Sequence, residues 1–490
     1  MRDDELRRIL TEANPWWRAA VSGVDPVAWT REHRLLRDRA RHDLGYRSSV
    51  LADIATCPIG DLLVVLVGPR RIGKSVALLD LAVALCARSD VDPRQVIHVP
   101  CDGMRDRDLR RIVTLGRELT RSVDLGRTSR RVWLLDEISG VPGWTPVLKA
   151  ARDGTDFGDD TVVATGSRWL AGEDIVGSLL TGRAGTSEGR RIRQLLPMTF
   201  RDYLAASRPE LHRIPPAHPA YLQDPAVRVA LEAVRFDVDA YDLAWQDFLT
   251  CGGFPRAVAE HTRTGAVSEP YLRDLIAWLR ADVDPDAPQE SVPLLLSGLG
   301  RRAAAPLNVS HTAEALGYPG RSALERRITR LISTFATITC PRRDDGGAVV
   351  PGSQAKLYFT DPLLAWLPGR LRAGLPSPDM TVLTEMTLGV ALARAIDDLD
   401  EGRWVSGDTI GYGRSASGNE VDFAPVAVPT TAGSATTTPI EGKWVDAQWR
   451  KESRAVDAKY GVGVLATKSL LDIDAATWAV PAPLLALLIG

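Results

Sequence analysis

Lysine is scarce in this 490-residue chain: seven lysines stand against 53 arginines. A lysine kept at a motif position is therefore more informative than usual. Cysteine is sparser still. Cys57, Cys86, Cys101, Cys251 and Cys340 are scattered, odd in number and without C-x-x-C spacing. That pattern argues against a disulfide framework or a cysteine zinc site and predicts reduced, mostly buried thiols. No run approaches the roughly 18 apolar residues that a membrane span requires. The opening MRDDELRRIL lacks the apolar core of a secretory signal, so a cytoplasmic protein without membrane attachment is expected. A net charge of −2 excludes a uniformly basic nucleic-acid binder and leaves room for a local basic face.

What is present is enough chain for several cores, with 45% apolar and 25% charged residues, ordinary for a globular protein. Residues 1–60 read as a charged helical segment in which NPWW (14–17) is a buried packing anchor. From residue 61 short apolar runs alternate with amphipathic stretches. DLLVVLV (61–67), QVIHVP (95–100), RVWLLD (131–136) and TVVAT (161–165) read as buried strands, with helices over 74–87 and 105–122. Such alternation predicts a parallel sheet with helices on both faces over 61–200. Residues 201–285 read as a helical lid broken by a proline-rich loop at 208–226. Residues 286–372 give helix, helix and a hairpin tipped by RRDDGG, the outline of a winged helix. Residues 373–490 begin with a helix at 381–399 and continue as an α/β domain. Strand-like segments fall at 403–411, 419–425, 438–445 and 461–467, and VPTTAGSATTTP (428–439) reads as a flexible hairpin tip.

The strongest local signal is G-x-x-x-x-G-K-S, spanning Gly68, Pro69, Arg70, Arg71, Ile72, Gly73, Lys74 and Ser75, with Val76 opening the helix that follows. Glycines let backbone N–H groups close around phosphates at a helix N-terminus, Lys74 reaches the terminal phosphates, and the Ser75 hydroxyl meets Mg²⁺. WLLDEIS places Asp136 at a strand end, where a carboxylate can support the metal, and Glu137 beside it, where a carboxylate can polarise attacking water. VVATGS ends the next strand with Thr165 and Ser167, hydroxyls placed to sense the γ-phosphate. Arg183 in SLLTGRAG is a candidate arginine finger, a role that would require a homo-oligomer.

A second constellation lies near the C-terminus. The triplet [D/E]-x-K should occur about once in a chain of this composition by chance, and it occurs twice, as Glu441-Gly442-Lys443 and Asp457-Ala458-Lys459. The latter ends a charged helical stretch and reads as a solvated face. Glu441 and Lys443 lie in an extended segment, where period-2 alternation aims both to one side. Asp422 lies in the preceding strand-like segment and Glu385 on the helix before it. Two carboxylates and an amine meeting there would hold Mg²⁺ at Asp422 and Glu441 and orient water with Lys443, a phosphodiesterase arrangement. A simple surface ion pair between Glu441 and Lys443 is the alternative.

GPRRIGKS, LLDEISGVPGW, VATGS, SLLTGR, LLPMTFRDYL and FLTCGGFPRAV, in that order, resemble a family of bacterial and archaeal AAA+-type ATPases. In that family the ATPase precedes a G-G-F-P turn, a winged helix ending in K-x-Y-F-x-D, and a PD-(D/E)xK nuclease-like domain. KLYF followed by TDPLLAWL, Glu385, NEVDF and IEGK are the corresponding pieces here. The sequence departs from the pattern in having Gly442 where a β-branched residue is usual and in a longer connection between Asp422 and Glu441. The resemblance implies ATP and Mg²⁺ as ligands, DNA as partner and metal-dependent phosphodiester hydrolysis. Arg321, Arg326, Arg327 and Arg330 on the second winged-helix helix, with Arg342 and Arg343 at the wing tip, are the expected phosphate contacts. A regulatory ATPase whose C-terminal domain binds without cutting, and a protein-remodelling ATPase, are the competing readings.

Overall fold

Four of the sheet strands form where the apolar runs placed them. The computed structural model describes residues 1–121, 130–154, 157–168, 185–186, 190–399, 407, 409–415 and 418–490. Within them the chain divides into two compact units, Met1–Leu196 and Pro197–Gly490. No helix among the described residues is long and apolar enough to cross a membrane.

The first unit is built on β1 (Leu62–Val67), β2 (Val96–Pro100), β3 (Val132–Asp136), β4 (Thr161–Gly166) and β5 (Ile192–Gln194). Their spatial order is β2-β3-β4-β1-β5 and every pairing is parallel. The helices Lys74–Cys86 and Asp106–Leu119 follow β1 and β2. A parallel sheet covered on both faces needs strands that are apolar throughout, and β1 and β4 are buried along their whole length. β5 was not foreseen. It is three residues long with a central arginine, and Arg193 is buried because its guanidinium meets the Asp53 carboxylate and the Val50 carbonyl.

The NPWW anchor does more than fill space. β2 is an edge strand, and the indoles of Trp16 and Trp17 both donate to the Val96 carbonyl at 2.9 Å. The Asn14 side chain accepts from the His98 amide at 2.6 Å and donates to the His98 carbonyl at 2.8 Å. These bonds satisfy backbone groups that an uncovered edge would expose.

The second unit starts with helices, among them Phe200–Ser207, Val238–Cys251, Pro255–Thr264 and Glu269–Val283. The helices Val309–Ala315 and Arg321–Ser333 lead into an antiparallel pair, β6 (Thr337–Cys340) and β7 (Lys356–Phe359). The 20-residue helix Met380–Leu399 follows. Residues 400–406 and 408 lie outside the described residues, and with them most of the strand-like segment expected at 403–411. Two short antiparallel pairs come next: β8 (Gly413–Arg414) with β9 (Glu420–Val421), and β10 (Ala427–Thr430) with β11 (Gly433–Thr436). The tract read as a hairpin tip thus contributes most of a paired hairpin. A parallel three-stranded sheet, β12 (Ile440–Gly442), β13 (Gly463–Thr467) and β14 (Thr477–Pro481), is followed by the fully buried helix Ala482–Ile489.

Candidate functional site

In the first unit the loop between β1 and the Lys74–Cys86 helix is shaped by two glycines. Gly73 has φ +105° and opens the helix. A Cβ on Gly68 would lie 2.0 Å from the Leu195 carbonyl oxygen, so no larger residue fits between β1 and the chain leaving β5. The Lys74 ammonium is buried and donates to the carbonyls of Gly68 and Pro69, both at 2.9 Å. It is thus held over the loop that its phosphates would enter. The Ser75 hydroxyl donates to Oδ1 of Asp136 at 3.0 Å, and the Thr165 hydroxyl reaches the same oxygen at 2.9 Å. Burial works to raise the Asp136 carboxyl, but His98, 3.9 Å away, together with Ser75 and Thr165 outweighs it and holds the group below its ordinary range. A hydroxyl in contact with an ionised carboxylate beside the loop is a donor set that suits Mg²⁺.

Glu137 sits at φ +55°, a left-handed conformation that a non-glycine residue adopts at a cost. Its Oε1 accepts from the Ser139 hydroxyl at 2.8 Å, the Ser167 hydroxyl at 2.6 Å and the Ser167 amide at 3.1 Å. Glu137, the candidate for polarising water, and Ser167, the candidate for sensing the γ-phosphate, are therefore bonded to each other. Arg183 lies outside the described residues.

In the second unit Asp422 and Glu441 lie side by side. Phe423 and Ile440 form an antiparallel bridge, which sets their neighbours side by side. The Asp422 amide donates to Oε2 of Glu441 at 3.1 Å and the Gly442 amide donates to Oδ2 of Asp422 at 2.9 Å. Lys443 Nζ stands 2.7 Å from Glu441 Oε1 and 3.5 Å from Asp422 Oδ2, with its side chain one-third exposed. Gly442 lies against the Met380–Leu399 helix: a Cβ there would stand 3.4 Å from Glu385 atoms.

Glu385 joins the group through a residue that the sequence reading missed. Lys356, the first residue of β7, is completely buried. Its ammonium lies 2.8 Å from Glu385 Oε1, 2.8 Å from Glu420 Oε1 and 2.7 Å from Asp422 Oδ1. The Tyr358 hydroxyl also donates to Glu385 Oε1, at 2.7 Å. Burial opposes the charge on Lys356, yet Asp422, Glu385 and Glu420 outweigh it and keep the ammonium protonated. Burial and the charge of Asp422 push the carboxyls of Glu385 and Glu441 upward, while the two lysines hold Asp422 down against its own burial. The signal for Lys356 was available: it is one of seven lysines, set in the otherwise apolar stretch KLYF.

The basic candidates separate. Arg321, Arg326 and Arg330 are exposed, with Arg321 paired to Glu325 at 2.6 Å and Arg330 donating to the Val283 carbonyl at 2.8 Å. Arg342 is half-buried. Two expectations need correction. Arg343 is buried, its guanidinium donating to the carbonyls of Gly347, Gly407 and Ile410, so it is not presented to a phosphate. Arg327 is held by Asp284 at 2.6 Å and stacked over Tyr318. The second acid-x-lysine triplet lies on a helix, where Lys459 pairs with Asp345 at 2.7 Å.

The parallel sheet, the glycine-shaped loop and the Ser75–Asp136 contact define the class of the first unit as a P-loop ATPase. Residues 61–204 match the family model described as "AAA domain", which supports ATP binding and hydrolysis by this part of the chain. No curated protein matches the chain. Among solved structures, the Walker-type ATPase Paby2304 of Pyrococcus abyssi is similar at 13% identity, covering 62% of this chain and 90% of that one with a TM-score of 0.37. The RuvB Holliday junction branch migration motor of Thermotoga maritima is similar at 15% identity, covering 62% and 89% with a TM-score of 0.26.

Proposed function

We propose that the chain is an ATPase whose second unit engages DNA and carries a metal-dependent phosphodiesterase centre. The observation that carries this reading is the meeting of Asp422, Glu441 and Lys443. An ammonium that touches two buried carboxylates stands where a cation is wanted. With Lys443 moved aside, each carboxylate oxygen would serve at most one protein donor and keep a lone pair for a cation. Asp422 and Glu441 would hold a Mg²⁺ ion, which when bound would stabilise charge on a phosphoryl group and acidify water. Lys443, one-third exposed, is able to swing aside and orient that water. The AAA domain would use Lys74 and Ser75 to grip Mg-ATP, Asp136 to support the metal and Glu137 to polarise water.

The order of the Val309–Ala315 helix, the Arg321–Ser333 helix and the β6–β7 pair supports a winged helix. Arg321, Arg326 and Arg330, with Arg342 beyond them, would supply its phosphate contacts. The reading is tested by incubating the purified chain with single- and double-stranded DNA, with Mg²⁺ or Mn²⁺, with and without ATP. Cleavage that Lys443→Ala and Asp422→Ala abolish while ATP hydrolysis persists is the expected result. Intact DNA under every condition would sink it.

One observation favours a binding-only role for the same unit: both Asp422 oxygens are already engaged, by Lys356 and by the Gly442 amide. That role predicts DNA binding which Lys443→Ala leaves unchanged, and no cleavage.

A further inference from the structure

His98 is buried in the edge strand β2, and neither of its ring nitrogens has a hydrogen-bond partner among the described residues. Burying two unpaired nitrogens costs stability and calls for a cause. His98 pairs with Leu134, two residues before Asp136, and alternation along β2 and β3 turns all three side chains to one face of the sheet. That face carries the Lys74–Cys86 helix, from which Ser75 reaches Asp136. There Nε2 of His98 stands 3.9 Å from Oδ2 of Asp136. The gap is too long for a hydrogen bond, and a small side-chain rotation would close it. Catalytic contacts are often long before a ligand binds and tighten when it does.

The two oxygens of Asp136 are unequally served. Oδ1 takes the hydroxyls of Ser75 and Thr165, whereas Oδ2 accepts no hydrogen bond from the described residues and faces only the imidazole. His98 in turn is held from outside the sheet. Asn14, with no exposed surface, accepts from the His98 amide at 2.6 Å and donates to the His98 carbonyl at 2.8 Å. A further bond to the Leu10 carbonyl, at 2.8 Å, fixes the Asn14 amide itself.

We propose that His98 and Asn14 are positioning residues of the nucleotide site: Asn14 fixes His98 in β2, and the imidazole of His98 orients the Asp136 carboxylate from its Oδ2 side. The inference rests on Asp136 as the carboxylate that supports the nucleotide's Mg²⁺. It brings into the ATPase site a segment that lies outside residues 61–204, the part of the chain matched by the family model. The bonds that cover the β2 edge then serve the chemistry as well as the fold.

The test measures binding of the slowly hydrolysed analogue ATPγS to the full chain, in Mg²⁺ and in EDTA. His98→Met keeps the bulk of the side chain and removes the N–H donor. It is expected to lose about tenfold or more of the affinity that Mg²⁺ adds, the usual effect of removing a group that orients a metal-supporting residue, while binding in EDTA stays unchanged. His98→Gln retains a donor and is expected to keep most of the Mg²⁺ advantage, and Asn14→Ala to lose part of it. Equal losses in Mg²⁺ and in EDTA would reduce His98 to packing and overturn the inference. So would an unchanged advantage in His98→Met, or in Asn14→Ala should His98→Met fail to fold. Asp136→Ala separates the two levels. If it loses the Mg²⁺ advantage while His98→Met does not, the inference alone falls. If it keeps that advantage, the role given to Asp136 falls and the inference with it.

Discussion

The Ser167 hydroxyl lies 2.6 Å from Oε1 of Glu137 and donates to it, joining the ends of two adjacent parallel strands. The Ser139 hydroxyl fixes the same oxygen from the other side at 2.8 Å. A carboxylate held this way is positioned beside the P-loop yet remains an acceptor, as a water-polarising group must. Glu137→Gln keeps the shape and removes the charge. Its turnover is expected to fall by about 100-fold or more, the usual contribution of a positioned general base, while ATP still binds. Steady-state hydrolysis beside a nucleotide-binding titration checks this, and wild-type turnover in Glu137→Gln would remove Glu137 from the mechanism.

Lys74 makes the complementary case. Its ammonium is buried and satisfied by the loop's own carbonyls, so its loss should leave the fold intact and weaken the nucleotide site. Lys74→Ala is expected to lower ATP affinity at least tenfold, since a charge-assisted contact contributes roughly 1.5–3 kcal/mol. The melting temperature without nucleotide should move by only a few degrees, and the stabilisation that ATP gives the wild type should vanish.

How much of this was legible in the sequence depended on whether a residue's surroundings are local. β1 to β4 were legible because a strand buried on both faces must be apolar from end to end. β5 was not, because the partners that bury Arg193 lie 140 or more residues away. Asp422 and Glu441 were candidates together because they lie in successive strand-like segments, and the Phe423–Ile440 bridge sets them side by side. Lys356 was not placed with them, since its three carboxylates come from the Met380–Leu399 helix, from β9 and from the bend after it, further along the chain. Arg343 misled for the converse reason. A charge in an Asp-Asp-Gly-Gly turn reads as exposed, and only the fold shows three carbonyls turned toward it.

The G-G-F-P turn, known from the sequence as a pattern, has a steric cause. A Cβ on Gly253 would stand 2.2 Å from the Met198 carbonyl oxygen, and the Met198 amide donates to the Gly253 carbonyl at 2.7 Å. Gly252 has φ +73°, and a Cβ there would fall 2.1 Å from Asp361. Neither neighbour is the free end of a flexible chain. Gly253→Ala is expected to cost roughly 3 kcal/mol through overpacking against backbone. A denaturant midpoint unchanged by the substitution would contradict the contact.

Arg326 and Arg343 should respond to substitution in opposite ways. Arg326 is exposed on the Arg321–Ser333 helix, so on the DNA-engaging reading Arg326→Ala weakens binding and reduces the salt slope by about one. Arg343 is buried among carbonyls, and Arg343→Ala should lower the melting temperature while leaving the salt slope of the folded protein unchanged. Binding isotherms at several salt concentrations, paired with thermal melts, separate the two. Equal effects of both variants on the slope would return Arg343 to the surface.

Asp361 gives the second unit a pH dependence with a definite sign. Its carboxylate accepts from the Gly253 amide at 2.6 Å and the Leu363 amide at 2.8 Å, joining the G-G-F-P turn to the N-terminus of the Pro362–Leu371 helix. Burial pushes its carboxyl up to about 7 against the pull of those amides. In the unfolded chain the same group titrates near 4. Between those values the folded chain keeps a proton that the unfolded chain releases, so the contribution of this residue to stability declines as pH rises from 4 to 7. The decline is on the order of 4 kcal/mol. Asp361→Asn cannot titrate. The stability of the wild type relative to Asp361→Asn should therefore fall across that window and level off above it, read from denaturant unfolding at each pH. A gap that widens in favour of the wild type with rising pH would mean that the two amides, rather than burial, govern the charge of Asp361.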